Sequence, residues 1–394
     1  MLHLERLLPT IDALSAQTAD KRLRLQADLA AVLEWIHQAP SPDALLERIR
    51  QNSDSLERWT GALPFRAEAV DQSYRADDSP PNGTVLIAVD GSQVYPDRHA
   101  AVLYWLLQVG GVVFRYSGEA PTVHSRELLR YEDADLFTNT GLLISSETIG
   151  IERAIFEIEF LTELADQERA VEGGTRIATL LDGPLLWSYT DRDDGSHQGL
   201  ERYLHSLSAL RTMLAVPVGY IDRPGGHPVI DLLTVLHALP DEGMDLPVSP
   251  YPGLSDRDLM AVYLAPGERS IWFVRPTATQ RRHREAGHEI CFSYLNVGDA
   301  RHSNIARLEV PCWATSDTNA MDSLQSAIVH QSRALNGYPY ILARAHEEAL
   351  ITTQDKMALE NALQRSLLAQ GVVLLPSEKA RQKSYLGRRG VSPR

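Results

Sequence analysis

The sequence predicts an α/β fold in which a mixed β-sheet is flanked by helices and preceded by an N-terminal helical segment. Three observations support this. Leucines and alanines recur at three- and four-residue spacing near the N-terminus, strand-like apolar runs begin at Val85, and strands then alternate with amphipathic helices. With 394 residues, of which 44% are hydrophobic, the chain can bury a sizeable core and is expected to be globular.

The N-terminal part is predicted to be helical to about residue 75. The strings LRLQADLAAVLEWI and SPDALLERIRQNSDSLERW both have amphipathic helical spacing. The stretch RADDSPPNGT then interrupts the pattern with Pro, Gly and Asp. We therefore expect an N-terminal helical segment at 1–80 and a main domain at 81–394, which ends in helices and a basic tail.

The main domain opens with strand-like runs and continues with alternating helices and strands. The runs VLIAVD, AAVLYWLLQV and GVVFRYSG predict an antiparallel meander. This order is compatible with a ribonuclease-H-like core, in which the first and fourth strands lie side by side. The elements predicted after the meander are a helix at 146–169, the strand RIATLLDG, a helix near 200–214, the strand VPVGYID, a helix near 229–239, the strands SIWFV, EICFSYLN and ARLEVPCW, and helices near 321–336 and 353–370.

Two of the predicted strands run into an aspartate that is followed by glycine: VLIAVDGS at Asp90 and ATLLDGPL at Asp182. A carboxylate at the end of a buried strand is costly unless a cation or a hydrogen-bond donor compensates it. Hard cations such as Mg²⁺ or Mn²⁺ prefer carboxylate oxygens, and a pair of them can orient water for attack on phosphorus. The alternative is that each Asp-Gly pair caps a tight turn. The pattern alone leaves the two interpretations about equal.

A third carboxylate ligand is expected from the helix that precedes Asp182. Its apolar stripe is centred on Ile158, which places Glu157 and Glu159 on the two borders of the stripe. Glu152 and Glu163 lie further towards solvent. We favour Glu159 as the third ligand, with Glu157 close behind.

A histidine follows an apolar run in ILARAHEEALIT, where His346 and Glu347 or Glu348 lie at the start of a predicted helix. A histidine in this setting could ligate a metal, donate a proton to a leaving oxygen or bind a phosphate. A structural histidine is the commoner alternative.

The formal net charge of −14 argues against a protein that coats nucleic acid by bulk electrostatics. Two local basic clusters could still line a channel for one strand, although a solvated loop and a frayed tail explain them equally well. The clusters are Arg281, Arg282, His283 and Arg284, and then Lys379, Arg381, Lys383, Arg388 and Arg389.

The two cysteines and the hydropathy pattern exclude several other classes. Cys291 and Cys312 lack CxxC spacing, so we expect buried small hydrophobes rather than a zinc knuckle or a disulfide framework. No run reaches the roughly 18 apolar residues of a membrane span, and the first residues lack signal-peptide features. A cytoplasmic protein without membrane association is expected.

Taken together, the motifs resemble those of the NurA family, DNA nucleases that work with the hexameric HerA translocase on DNA ends. The resemblance spans roughly Thr84 to Thr352 and is closest to bacterial members. The strings that carry it are AVDGSQVYPDRH, LLDGPL, VGYIDRP, FSYLNVG, ARLEVPCWA and GYPYILARAHEEALI, in the expected order.

The resemblance implies a ribonuclease-H-like fold, a clamp-like homodimer, Mn²⁺-dependent cleavage of DNA and docking on a HerA-type hexameric ATPase. It assigns Asp90 and Asp182 as the two metal aspartates, Glu159 as the helix glutamate and His346 as the histidine of the C-terminal motif. The loop VEGGTR lengthens the spacing between the glutamate and Asp182.

A further departure is that Asp222 and Arg223 stand where some relatives place a lysine near the active site, so Arg223 could substitute for it.

The resulting hypothesis is a DNA nuclease, exonuclease or endonuclease, in which Asp90, Glu159 and Asp182 hold two Mn²⁺ or Mg²⁺ ions and which acts in DNA end processing and double-strand break repair. The main alternative is a noncatalytic DNA clamp or adaptor, which the two intact aspartates disfavour. An aspartyl phosphatase is disfavoured because Ser92 stands where a second aspartate is usual. No GxxxxGK[ST] loop occurs, so translocation would have to come from a partner.

Overall fold

The computed structural model describes residues 3–39, 59, 61–80, 82–100, 102–171, 176–187, 195–237, 249–251 and 253–372. The chain forms two compact units. Unit 1 comprises Met1–Thr84, Asp182–Ser188 and Val216–Tyr340, and unit 2 comprises Val85–Leu181, Tyr189–Ala215 and Ile341–Arg394. Both contain paired strands and helices, which confirms the predicted mixed α/β class. The division into 1–80 and 81–394 stays a prediction.

The strands are β1 (Leu63–Pro64), β2 (Ser73–Arg75), β3 (Thr84–Val94), β4 (Trp105–Arg115), β5 (Thr122–Arg130), β6 (Arg176–Asp182), β7 (Val216–Asp222), β8 (Glu268–Ser270), β9 (Phe273–Val274), β10 (Ile290–Asn296) and β11 (Ile305–Pro311). The helices are α1 (Leu8–His37), α2 (Asp133–Leu136), α3 (Ser146–Val171), α4 (Gly195–Thr212), α5 (Pro228–His237), α6 (Asp256–Tyr263), α7 (Ala278–Glu285), α8 (Thr318–Arg333), α9 (Tyr340–Ala349) and α10 (Thr353–Ala369). Helices α3, α4, α5, α8 and α10 confirm the five predicted after the meander. No helix in the described ranges has the length and apolar composition needed to span a bilayer.

In unit 2, β3, β4 and β5 form the predicted antiparallel meander. Strand β6 lies beside β3 on the side away from β4. The first and fourth strands of this set are therefore neighbours, as the ribonuclease-H-like order requires.

The third strand of the meander was predicted wrongly. The run GVVFRYSG is not a separate strand, because β4 continues through Gly110 and Gly111 and the third strand is β5. The two glycines allow close helix packing rather than a turn. A Cβ on Gly110 would lie 2.6 Å from the Ala349 nitrogen and 2.7 Å from the Ala345 oxygen of α9. On Gly111 it would lie 2.6 Å from Leu164 Cδ1 of α3, so these helices cover opposite faces of the sheet.

In unit 1, strands β1, β9, β10, β11 and β7 pair antiparallel in that order, and β2 pairs with β8. The C-terminal half of α1 packs its buried Val32 and Ile36 into the core of this unit. The predicted helix up to residue 75 is wrong at its end, because β1 and β2 lie there. Their backbones pair with β9 and β8, so partners distant in sequence override the local helical spacing.

In unit 1, the buried carboxylate of Asp256 binds backbone N–H groups in the first turn of helix α5. Asp256 accepts hydrogen bonds from the backbone N–H groups of Val229 (2.8 Å) and Ile230 (3.0 Å) and from the hydroxyl of Tyr294 (2.7 Å). Burial raises the pKa of Asp256 to about 6, against the opposing effect of these donors. Asp256 therefore ties the first turn of α5 to α6 and β10.

The two cysteines are buried, as predicted, but the expectation that they are not disulfide-bonded is wrong. Cys291 and Cys312 form a disulfide with a Cα–Cα distance of 5.1 Å. The antiparallel pairing of β10 with β11 places Cys291 opposite Val310. Cys312 follows two residues later, which brings the pair within the range of disulfide geometry.

We expect Gly110→Ala to lower the free energy of unfolding by about 2–3 kcal/mol, because its new methyl group meets the backbone of α9. Gly111→Ala is the matched control and should cost about 1 kcal/mol, since its methyl group meets the ends of movable side chains. Urea unfolding followed by circular dichroism measures both. Equal losses, or a larger loss for Gly111→Ala, would contradict this packing of α9 and α3 on β4.

Candidate functional site

Asp90 lies in β3 directly after a fully apolar, buried stretch of that strand. Its side chain is 16% exposed. Oδ1 accepts a hydrogen bond from the Gly91 N–H (2.8 Å), and Oδ2 accepts one from His346 Nδ1 (2.6 Å). A neutral imidazole that donates from Nδ1 can accept at Nε2, and the His346 side chain is 59% exposed. Asp90 therefore orients an imidazole that reaches solvent.

The position of His346 in its helix differs from the prediction. It lies in the last turn of α9 rather than at the start of a helix, because the apolar run ILARA forms the first part of α9 itself. The neighbouring Glu347 and Glu348 both pair with Arg344. The imidazole is thus the group of this turn that contacts Asp90.

Two side chains of the meander hold the C-terminal end of α9. The hydroxyl of Ser92 donates to the carbonyl of Ala349, and Gln108 Nε2 donates to the carbonyl of Glu348 at 2.9 Å. Carbonyls at a helix end have no partner within the helix, so these donors satisfy them. Ser92 stands two residues after Asp90 and shares its face of β3. The face of β3 that carries Asp90 therefore also holds, through Ser92, the helix that carries His346.

Glu157 of α3 lies on the other face of β3. Its Oε1 would be 2.5 Å from a Cβ on Gly91, and it pairs with Arg153 Nε at 3.2 Å. Arg153 also donates to the side chain of Gln93 at 3.0 Å. Because side chains alternate along a strand, Gly91 and Gln93 face α3 while Asp90 faces α9.

Glu159, the favoured third ligand, faces helix α4. Arg202 donates to both of its carboxylate oxygens at 3.0 Å and to Glu152 at 3.1 Å. Glu163 pairs with Arg126 of β5. The Glu159 side chain is 37% exposed, whereas that of Glu157 is 13% exposed against β3. Of the two candidates, Glu157 is therefore the one that contacts the strand of Asp90.

Asp182 is the exposed last residue of β6, and the loop that follows it is tightly held within unit 1. Gly183 has a φ of +124° and donates its N–H to the Tyr220 carbonyl at 2.8 Å. Burial raises the pKa of Tyr220 above its usual range, and the charges of Asp222 and Asp182 add to this shift. Asp182 is thus close enough to β7 to act on Tyr220.

The rest of this loop is held by side chains from β11 and α7. The backbone N–H groups of Leu185 (3.0 Å) and Leu186 (3.1 Å) donate to Glu309 Oε2. The N–H of Trp187 donates to His283 Nε2 at 3.2 Å. Glu309 was not among the predicted site residues, although a single carboxylate in the apolar strand ARLEVP is a visible signal.

The first basic cluster lies on α7. Arg281, Arg282 and Arg284 are exposed, and Arg284 pairs with Glu289 at 2.8 Å. His283 is buried instead, and burial lowers its pKa to about 4, with a smaller effect from His288. The second predicted cluster, at 379–389, lies outside the described residues.

Arg223, the suggested substitute for a lysine, follows β7. It has a left-handed backbone with a φ of +48°, and its exposed guanidinium lies 3.8 Å from the carboxylate of Asp222. The Arg223 guanidinium therefore lies just after the end of β7, the strand whose Tyr220 carbonyl accepts the N–H of Gly183.

The donor chemistry fits a hard divalent cation, because carboxylate oxygens dominate the predicted set. Of that set, the structure brings Asp90 and His346 into contact and makes β6, which ends at Asp182, the neighbour of β3. Within the described ranges, no group of three or more His, Cys, Asp or Glu side chains is arranged to hold a metal ion.

Comparison with known proteins gives one family. A family model described as NurA domain matches residues 84–351. No curated protein matches. Similar solved structures include a crystal structure of NurA bound to dAMP and manganese, with 13% identity over 81% of this chain and 94% of that chain and a TM-score of 0.38. Others are NurA with manganese (12% identity, 87% and 98% covered, TM-score 0.35) and NurA (11% identity, 89% and 97% covered, TM-score 0.38).

The pKa of His283 predicts a pH dependence of stability. Between its ordinary value of 6.5 and about 4, the unfolded chain binds more protons at this residue than the folded chain does. The free energy of unfolding should therefore fall as pH falls through this window, by roughly 3 kcal/mol from this residue. His283→Gln keeps an acceptor for the Trp187 N–H but does not titrate, so it should lose less stability from pH 7 to pH 4. Urea unfolding at several pH values tests this, and parallel curves would refute it.

Proposed function

This chain belongs to the NurA family, and we propose that it is a metal-dependent nuclease that hydrolyses phosphodiester bonds in DNA. The observation that carries the proposal is the contact between Asp90 and His346. These residues are far apart in the chain, yet the imidazole lies 2.6 Å from a carboxylate held in a rigid strand. Such a pair can present an oxygen ligand to a divalent metal ion and an oriented ring nitrogen to a phosphate ester.

In this proposal Asp90 and Asp182 hold Mn²⁺ or Mg²⁺, with two ions expected, and Glu159 or Glu157 adds a third carboxylate. When bound, such ions activate water and stabilise charge on the leaving oxygen. Supporting this, Asp90 lies within the paired strand β3, and hydrogen bonds hold the backbone of the loop that follows Asp182. His346, held through Nδ1, contacts the phosphate, the metal or the leaving group.

The assignment of the helix glutamate depends on the contacts of α3. Glu159 is engaged by Arg202 towards α4, whereas Glu157 contacts β3 at Gly91. Its carboxylate lies on the α3 face and would have to move to share an ion with Asp90, which faces α9. To bind a metal ion, a glutamate must leave its ion-pair partner at a modest cost in free energy. Glu157 meets this condition because its partner Arg153 also donates to the side chain of Gln93. We therefore favour Glu157 over Glu159 for this role.

Partners and cellular role are further parts of the proposal. We propose docking on a HerA-type hexameric ATPase, a homodimer, cytoplasmic location and action in DNA end processing and double-strand break repair. The lack of a P-loop motif supports an external motor, and the net charge of −14 disfavours unaided coating of duplex DNA. Tight binding of long duplex DNA by the protein alone at physiological salt would contradict this part.

We expect Asp90→Asn and Asp182→Asn each to lower Mn²⁺-dependent cleavage of single- and double-stranded DNA at least about 100-fold, because each removes a charged oxygen ligand. Circular dichroism should show that both variants fold. Equal cleavage by all three proteins would indicate a contaminating nuclease. A wild type that binds DNA without cleaving it in Mn²⁺ or Mg²⁺ would favour the noncatalytic clamp.

Glu157→Gln and Glu159→Gln form a matched pair on one helix. We expect Glu157→Gln to raise the Mn²⁺ concentration for half-maximal cleavage about tenfold or more, and Glu159→Gln to change it less than about twofold. The reverse order would identify Glu159 as the ligand. If neither variant responds, the third carboxylate does not come from α3.

A further inference from the structure

We propose that Glu309 is a positioning residue for Asp182: its buried carboxylate fixes the backbone of the loop after β6 and so sets the direction of the Asp182 side chain. The proposal rests on the proposed function, because it assumes that Asp182 binds the metal. It concerns residues of unit 1 only.

The Glu309 carboxylate contacts the backbone of the loop directly. Glu309 lies in β11 with 2% of its surface exposed. One carboxylate oxygen, Oε2, accepts the two consecutive N–H groups of Leu185 and Leu186, and the other lies 2.5 Å from Arg307 Nη2. Two bonds from adjacent peptides to one carboxylate define the orientation of that piece of backbone. It begins three residues after Asp182.

A buried carboxylate in a strand costs free energy unless every oxygen is paired, and an apolar residue would serve the sheet at least as well. Arg307, whose guanidinium lies 4.0 Å from the ring centroid of Phe292, compensates the charge from the same strand. The other carboxylate oxygen, Oε2, accepts hydrogen bonds from the loop. The buried charge therefore stabilises the loop rather than the pairing of the sheet.

Other contacts converge on the same segment of backbone. A Cβ on Gly219 of β7 would lie 2.5 Å from the Leu185 nitrogen and 2.7 Å from the Gly183 carbonyl oxygen. The strand can therefore approach the loop only with glycine at this position. With the Trp187 bond to His283, the backbone from 183 to 187 is held by β7, β11 and α7. Asp182 stands at the start of this rigid segment.

Unit 1 also supplies a matched control, because Asp256 uses the same chemistry elsewhere. It is buried, and it accepts the consecutive N–H groups of Val229 and Ile230 at the start of α5. Removing its charge should weaken the fold of unit 1 in a similar way without acting on the loop after β6. A comparison of Glu309→Gln with Asp256→Asn therefore separates positioning from general stability.

The experiment measures three quantities on the full-length protein: thermal unfolding, Mn²⁺ binding from the electron paramagnetic resonance signal of free Mn²⁺, and amide hydrogen exchange of peptides covering 183–187. We expect Glu309→Gln to weaken Mn²⁺ binding about tenfold or more and to speed exchange in 183–187. Asp256→Asn should leave both within about twofold of wild type, even where it lowers the unfolding temperature. In an Asp182→Asn background, Glu309→Gln should change Mn²⁺ binding by less than about twofold, because its effect passes through Asp182.

The possible failures are distinguishable. Unchanged amide hydrogen exchange in 183–187 of Glu309→Gln would overturn the positioning role, whether or not the protein binds Mn²⁺. Faster exchange with unchanged Mn²⁺ binding would break the link to Asp182, as would equal weakening by Asp256→Asn. If the wild-type protein binds no Mn²⁺ and cleaves no DNA, the proposed function fails, while the exchange result still decides whether Glu309 holds the loop.

Discussion

The alternation of side chains along β3 is the constraint on which the arrangement around Asp90 depends. Asp90 and Ser92 face α9, whereas Gly91 faces α3. The paired strand β4 repeats this division with Gly110 and Gly111, which let both helices approach the sheet backbone. A shift of one residue in the pairing of β3 with β4 would exchange the two faces, and the carboxylate would lose its histidine.

Asp182 depends on a different device. Asp90 lies within β3 and is positioned by the pairing of that strand. Asp182 is the last residue of β6, and the residues that follow it, 183–187, form a turn outside the helices and strands. Buried polar groups hold this turn instead. They are a carboxylate from β11 and an imidazole that burial keeps neutral and therefore able to accept an N–H. Strand pairing thus holds the backbone of Asp90, whereas buried polar groups hold the loop that follows Asp182.

Local pattern was sufficient to predict the long elements, because α3 buries one face with helical period, and β6 and β7 are continuous apolar runs buried on both faces. Local pattern was insufficient where the same residue type can serve two different structural roles. Gly110 and Gly111 lie where two separate strands were predicted to meet but serve close packing within β4, and the Asp90–His346 contact joins residues 256 positions apart. The same holds for Glu157 and Glu159, whose partners lie on other elements and could not be inferred from the helical wheel alone.

The disulfide between Cys291 and Cys312 encloses most of β10 and all of β11, including Arg307 and Glu309. Cross-linking a segment of this size removes chain entropy from the denatured ensemble, which the polymer account values at about 3 kcal/mol. The hairpin that carries the loop-binding carboxylate is therefore a covalent ring. Reduction would open this ring and return that entropy to the denatured ensemble, which would lower the stability of the hairpin that carries Glu309.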